Sequence, residues 1–372
     1  MFSLAAWLLG AGAALACQVP VFRYALERWK PDLYEVEVVG SGSLDEAGSA
    51  LLGRLQAACV ERGSGAANFR VTESVAAASA EEGVPSDPAG GPFIILRLPS
   101  ALERSRPVWA APFNEGTVQA LLDSPARVEI ARRILAGDSA VWVLLDSGSA
   151  ERDAAAWRIL DESLGELERT LTLPPPEVIM NDPEYRPAAA LELKLKFSAL
   201  RIAHGDPAER ALTAMLLGVE EDLRDLSDQP IAVPVFGRGR ALYGLTGEGI
   251  NGETIRDACE TLTGPCSCTI KDQNPGVDLL MSVDWEKSLG LADRPPDPFP
   301  ELPALPSGPS APASEAFAPL FGEPPELPRP TASQTEPRGN ASGTIATAVL
   351  IVLGAALAVA AAGSAFLLRR KG

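Results

Sequence analysis

One histidine stands in 372 residues, and 32 Lys and Arg are set against 49 Asp and Glu. Each scarcity closes off a class of function. A metal centre built on imidazole ligands needs more than one of them. A nucleic-acid-binding face needs a stripe of cations to displace counterions from phosphate, and a formal charge of −17 excludes a dominant one. The chain also lacks a Gly-x-Ser-x-Gly elbow, a phosphate-cradling Gly-x-x-x-x-Gly-Lys loop and any Cys-x-x-Cys pair.

What is present is unevenly distributed. Residues 2–16 (FSLAAWLLGAGAALA) are apolar and uncharged but too short to cross a bilayer comfortably, and they end in the small-x-small run Ala14-Leu15-Ala16. Residues 1–16 therefore read as an export signal; an uncleaved anchor is the alternative, because no Lys or Arg precedes the apolar run. Cleavage after Ala16 makes Cys17 the first residue and a candidate for lipid attachment. At the other end, Thr344 to Leu368 is a run of 25 uncharged residues, enough at about 1.5 Å per residue for a transmembrane helix. Arg369, Arg370 and Lys371 follow and mark residues 369–372 as a cytoplasmic tail. Between body and anchor, residues 291–343 form a Pro-rich stalk, with 14 of the 33 prolines falling in 291–340. The expectation is a single-pass membrane protein of a bacterial envelope whose body is extracytoplasmic, periplasmic or extracellular. That body carries about −16 of the charge, which suits solubility.

The body is long enough for two small domains, 17–138 and 139–290. Pro20–Trp29 has helical spacing, Tyr34–Val39 alternates as a strand, and Ser43–Cys59 reads as a helix. Strands are expected at Phe93–Leu98 and Pro107–Ala111, then a helix over Gly116–Leu135 broken at Pro125. Ala140–Leu145 (AVWVLL) is continuously apolar, as in a strand covered on both faces. After it come a helix over Arg152–Leu171, a strand at Phe197–Ala203, a helix over Pro207–Leu223, a strand at Ile231–Phe236, its hairpin partner at Ala241–Leu245 and a helix over Glu253–Leu262. The order predicts an α/β fold with a parallel pair followed by an antiparallel one.

From Ala140 onward, strand, helix, strand, helix, then VPVF-GRG-RALYGLTGEG and a final helix resemble the thioredoxin superfamily over about residues 140–264. The resemblance implies a three-layer thioredoxin-like domain in which Pro234 is the cis proline that faces the active site. Gly237-Arg238-Gly239 would be the hairpin turn, and Gly247 and Gly249 the bend before the last helix. It also implies a binding groove formed by Pro234 with Asp146 and Ser147. The family's Cys-x-x-Cys is replaced here by Asp146-Ser147-Gly148-Ser149-Ala150, which rules out disulfide exchange at that loop. The first half repeats the order except for an opening strand, so two such domains in tandem are an alternative to one. The opening block CQVPVFRYALERW is similar to secreted bacterial proteins and carries no function with it.

Chemistry then falls to five cysteines in an exported chain. Cys266-Ser267-Cys268 after Cys259 has three readings. One is a structural disulfide from Cys259 to either member of the pair, with Cys17 to Cys59 in the other half. The second is a redox-active disulfide within Cys266-Ser267-Cys268, in which Cys266 and Cys268 are the catalytic thiols. The third is a soft-metal site for Cu(I) on Cys259, Cys266 and Cys268, the one cofactor expected if any is. His204 reads as a hydrogen-bonded loop residue. Gly247-Glu248-Gly249-Ile250-Asn251-Gly252 has the dinucleotide-binding spacing but too little chain after it for that fold. Asn274-Pro275-Gly276 with Val277–Met281 reads as a turn and a closing strand. The functional expectation is thiol, disulfide or soft-metal handling; the alternative is a non-catalytic scaffold that binds a protein partner at the envelope.

Overall fold

A computed structural model describes residues 18–40, 42–60, 66–75, 91–99, 107–180, 192, 194–265, 271 and 276–291. All belong to one compact unit, Met1–Pro298. The expected export signal, nearly all of the expected stalk and the apolar C-terminal segment lie outside the described residues, as do Cys17, Cys266 and Cys268. Among the described residues, no helix is long and apolar enough to cross a membrane.

Helix α1 (Val21–Arg28) opens the order. The first half continues with β1 (Tyr34–Gly40), α2 (Glu46–Ala58), β2 (Phe69–Val75), β3 (Phe93–Arg97), β4 (Pro107–Pro112), α3 (Glu115–Leu122) and α4 (Pro125–Leu135). The second half has β5 (Ala140–Leu145), α5 (Ala150–Thr170), α6 (Pro176–Met180), β6 (Phe197–Ile202), α7 (Arg210–Leu216), β7 (Ile231–Phe236), β8 (Arg240–Ala241), β9 (Leu245–Thr246), α8 (Gly252–Thr263), β10 (Val277–Asp278) and α9 (Trp285–Ser288). Their ends follow local chemistry. Asp45 caps α2, Ser124 caps α4 with Pro125 behind it, and Asn251 and Thr254 close a reciprocal cap on α8.

Both halves have one connectivity. In the first sheet, ordered β2-β1-β3-β4, β1 runs parallel to β2, while β3 lies antiparallel to β1 and β4 to β3. In the second, ordered β10-β8-β7-β5-β6, β5 and β6 are parallel, β7 is antiparallel to β5 and β8 to β7. The strand not expected is β2, in which Phe69 and Val71 alternate with polar residues until Glu73 takes an apolar place; with it the first half opens on β1 rather than on a strand before α1.

Two cores fill the unit. Val36, Val38, Ile94 and Leu96 of the first sheet share one with Val141, Val143, Val233 and Val235 of the second, and α2, α3, α4 and α7 supply the rest. The opposite face of β5, with Trp142 and Leu144, packs under α5, α8 and α1. Thus α1, expected to open the first half, belongs to the layer over the second sheet.

Other expectations also change. The helix expected over Pro207–Leu223 forms only at Arg210–Leu216. It ends at the Leu217 cap, before Gly218, a poor helix former at which an added Cβ would come within 2.9 Å of Val108. The strand expected at Ala241–Leu245 is split into β8 and β9, because Pro234 lacks the N–H that a continuous ladder needs; its carbonyl still accepts from Leu242 N at 3.0 Å. The turn Gly237-Arg238-Gly239 is not a solvent loop. Gly237 (φ +57°) lies against Ala25 and Gly239 (φ +96°) against Met281. Buried Arg238 donates to Leu26 O at 2.8 Å and Glu27 O at 3.1 Å and pairs with Glu286 at 2.6 Å.

Candidate functional site

The loop between β5 and α5 lies at the carboxyl ends of the parallel strands, the end of an open α/β sheet where ligands usually bind. Asp146 N donates to Ile202 O at 3.0 Å, and its carboxylate pairs with Arg201 Nε at 2.6 Å. Ser147 donates twice to the buried Asp153, from its backbone N at 2.8 Å and from Oγ at 2.7 Å, while Ser149 N donates to Ser147 Oγ at 3.1 Å. Gly148 takes φ +89°, and a Cβ there would sit 3.4 Å from the exposed imidazole of His204. The loop is thus closed upon itself by Asp153, which lies in the helix expected over Arg152–Leu171 and which nothing in the sequence marks as buried.

Pro234 is not part of this end. It is buried in β7 opposite Trp142, three residues along from the Leu145–Ile231 pair that borders the loop. The proline at the loop's end of β7 is Pro230, whose carbonyl accepts from Gly247 N at 3.0 Å. Pro234 therefore stands apart from Asp146 and Ser147, and the three do not form the expected groove. Gly247 serves this contact: its φ is +51°, and a Cβ would overlap the Gln229 side chain.

The first half has a counterpart to this loop. In sequence, Ser41-Gly42-Ser43 follows the end of β1 as Ser147-Gly148-Ser149 follows Asp146 and the end of β5; Ser41 lies outside the described residues, and residues 41–45 separate β1 from α2 where 146–149 separate β5 from α5. Neither copy contains a cysteine.

The described cysteines are remote from both loops' chemistry. Cys59 and Cys259 are buried free thiols in different cores; the disulfide partners expected of them, Cys17 for the first and Cys266 or Cys268 for the second, lie outside the described residues. Burial pushes the Cys259 thiol up to about 12, against a smaller opposing effect of the Trp142 indole, whose Nε1 makes no hydrogen bond of ordinary geometry among the described residues. Such a thiol is a poor nucleophile and a poor metal ligand. Among the described residues, no three His, Cys, Asp or Glu side chains are grouped to hold a metal; the Cu(I) set also needs Cys266 and Cys268, which lie outside them.

A second polar cluster was not foreseen. Asp278 of β10 pairs with Arg240 at 3.1 Å and with Lys271, which also pairs with Asp32 at 2.7 Å and donates to Lys30 O at 2.7 Å. Tyr34 donates to Asp278 O at 2.7 Å, and Arg240 lies over the Trp29 ring at 5.7 Å. Arg127, buried, donates to Leu280 O, Ala120 O and Leu121 O. These contacts bind the closing segment 277–281 to both halves; of the closing strand expected over Val277–Met281 only Val277–Asp278 forms, and Asn274 and Pro275 of the expected turn lie outside the described residues. The segment's signal was only Asp278 among apolar neighbours.

No family model and no curated protein matches this chain.

Proposed function

We propose that the chain is a non-catalytic binding scaffold of the bacterial envelope: two thioredoxin-like halves in tandem, displayed on the Pro-rich stalk by the C-terminal transmembrane helix. The observation that carries this reading is the Ser147-Gly148-Ser149 loop. It stands where the family's redox thiols would be, its hydroxyl and amide are already committed to Asp153, and its counterpart in the first half has the same thiol-free sequence. The shared connectivity of the two sheets supports the tandem assignment. A closed loop that cannot exchange disulfides still presents a shaped surface, with Asp146, Arg201, His204 and Gly148 at its rim, and a protein partner is the ligand such a surface suits.

The reading is tested against thiol chemistry directly. Purified full-length chain, assayed with a model disulfide and glutathione, is expected to give no turnover above the buffer rate. Turnover that disappears in Cys266→Ser or Cys268→Ser would overturn the scaffold in favour of redox catalysis at Cys266-Ser267-Cys268. Stoichiometric Cu(I) retained by the wild type and lost in the same variants would do so in favour of metal handling.

A further inference from the structure

Helices α5 and α8 run side by side in one direction. Ser163 lies beside Gly252, Glu166 pairs with Arg256 at 2.9 Å, and Thr170 and Thr263, the last residues of the two helices, border one groove of about 580 Å³. Leu171, Leu173, Pro174, Pro175 and Val178 form its apolar wall, and Val178 is 41% exposed, unusual for a large apolar side chain in this body. Backbone closes another side, where Val21 N donates to Gly264 O at 3.1 Å and Pro20 pairs with Pro265.

The end of α8 breaks the rule for a helix terminus. The last turn of a helix carries about half a negative charge and favours cations, yet α8 has no basic residue there and bears the exposed Glu260 instead. Pro265 has no N–H to offer the Thr261 carbonyl. Arg256 stands 4.0 Å from Glu260 but is held closer by Glu166, and Arg169, in the last turn of α5, is not among the lining residues. None of those residues is cationic. Two helix ends and a carboxylate thus meet an apolar wall without a counter-charge, in a groove within the roughly 300–1,000 Å³ typical of ligand sites. A local rule broken at such a place is the mark of a functional site, and what complements it is a cation flanked by apolar groups.

We propose that this groove binds an extended segment of a partner protein in which a lysine stands between apolar residues. The ammonium rests at the joined carboxyl ends of α5 and α8 beside Glu260, and the flanking side chains lie on Leu171, Leu173 and Val178. The site rests on the scaffold reading for the class of its ligand but not for its place, since the 21-residue α5 sets it about 30 Å from the β5–α5 loop.

The probe is a dye-labelled, amidated pentapeptide Ala-Leu-Lys-Leu-Ala, titrated by fluorescence anisotropy into full-length chain in non-ionic detergent. Saturable binding that weakens with salt is expected, with the norleucine analogue, which keeps the stem and lacks the ammonium, roughly tenfold weaker. Glu260→Gln is expected to weaken the lysine peptide about threefold. Glu260→Lys is expected to abolish binding and also to raise the urea midpoint, because it supplies the cation that the end of α8 lacks; the raised midpoint shows that the variant is folded. Equal affinity for the two peptides, no saturable binding, or binding unchanged in Glu260→Lys would each overturn the proposal. Binding that survives Glu260→Lys and is lost in His204→Ala would move the peptide to the β5–α5 loop, ending the groove assignment while leaving the scaffold reading in place.

Discussion

At the residue scale, burial makes its strongest statement through Cys259. A thiol pushed up to about 12 is essentially all protonated at pH 8, and attack on a disulfide reagent requires the thiolate. Ellman's reagent is expected to leave Cys259 untouched in the native chain and to reach it in guanidinium; native-state labelling would contradict its placement. Asp32 gives a prediction of opposite flavour. Its carboxyl is raised above 3.8, first by burial and then by the Asp278 charge, against the pull of Lys271 and Arg240. The folded chain therefore holds that proton more tightly than the unfolded one, so the Asp32 contribution to stability declines as pH rises from 3.8 through its folded value. Asp32→Asn removes the cost of the ion at neutral pH while Asp278 still holds Lys271. The urea midpoint of the variant at pH 7 is expected to equal or exceed that of the wild type, an advantage that shrinks below pH 4. A clear loss at pH 7 would mean that the Lys271 pair outweighs desolvation.

At the element scale, the elements legible in the sequence were those in which one signal dominated. Ala140–Leu145 had to be a strand covered on both faces because every residue of it is apolar, and all six are buried. The break at Pro125 was equally plain, since Ser124 and Pro125 are the cap and first residue of a new helix. Elements defined by their neighbours were not legible: β2 needs β1 beside it to outweigh Glu73, and the split between β8 and β9 depends on which edge of β7 the Pro234 nitrogen faces. The candidate loop was found through Asp146 and Ser147, but Asp153 looks like any helix acid until the fold turns it inward. The closing segment shows how tightly such tertiary terms are set. Gly276 adopts φ +108°, and a Cβ there would come within 2.3 Å of Ala241 O. Gly276→Ala is expected to cost about 2 kcal/mol or more, read as a lower urea midpoint with an unchanged slope. A shift within error would show that the segment relaxes away from β8 freely.

At the scale of the whole molecule, composition suggested two domains, whereas the packing makes the halves share their largest core. Val141, Val143, Val233 and Val235 face the helices and sheet of the first half, and Arg127 of the first half satisfies Leu280 O beyond the second. Separating the halves would expose that apolar face and take from the buried Arg127 guanidinium, whose pKa burial already lowers to about 10, its bond to Leu280 O. Independent domains joined by a linker melt separately, while halves that complete one another's core melt together. The body, residues 17–291, is therefore expected to unfold in a single transition, with tryptophan fluorescence and far-ultraviolet circular dichroism coinciding in urea. Residues 139–291 expressed alone are expected to aggregate or to bind a hydrophobic dye, despite holding a complete second sheet. Two resolved transitions, or a soluble second half with native-like cooperativity, would show that the shared core is an interface between autonomous domains.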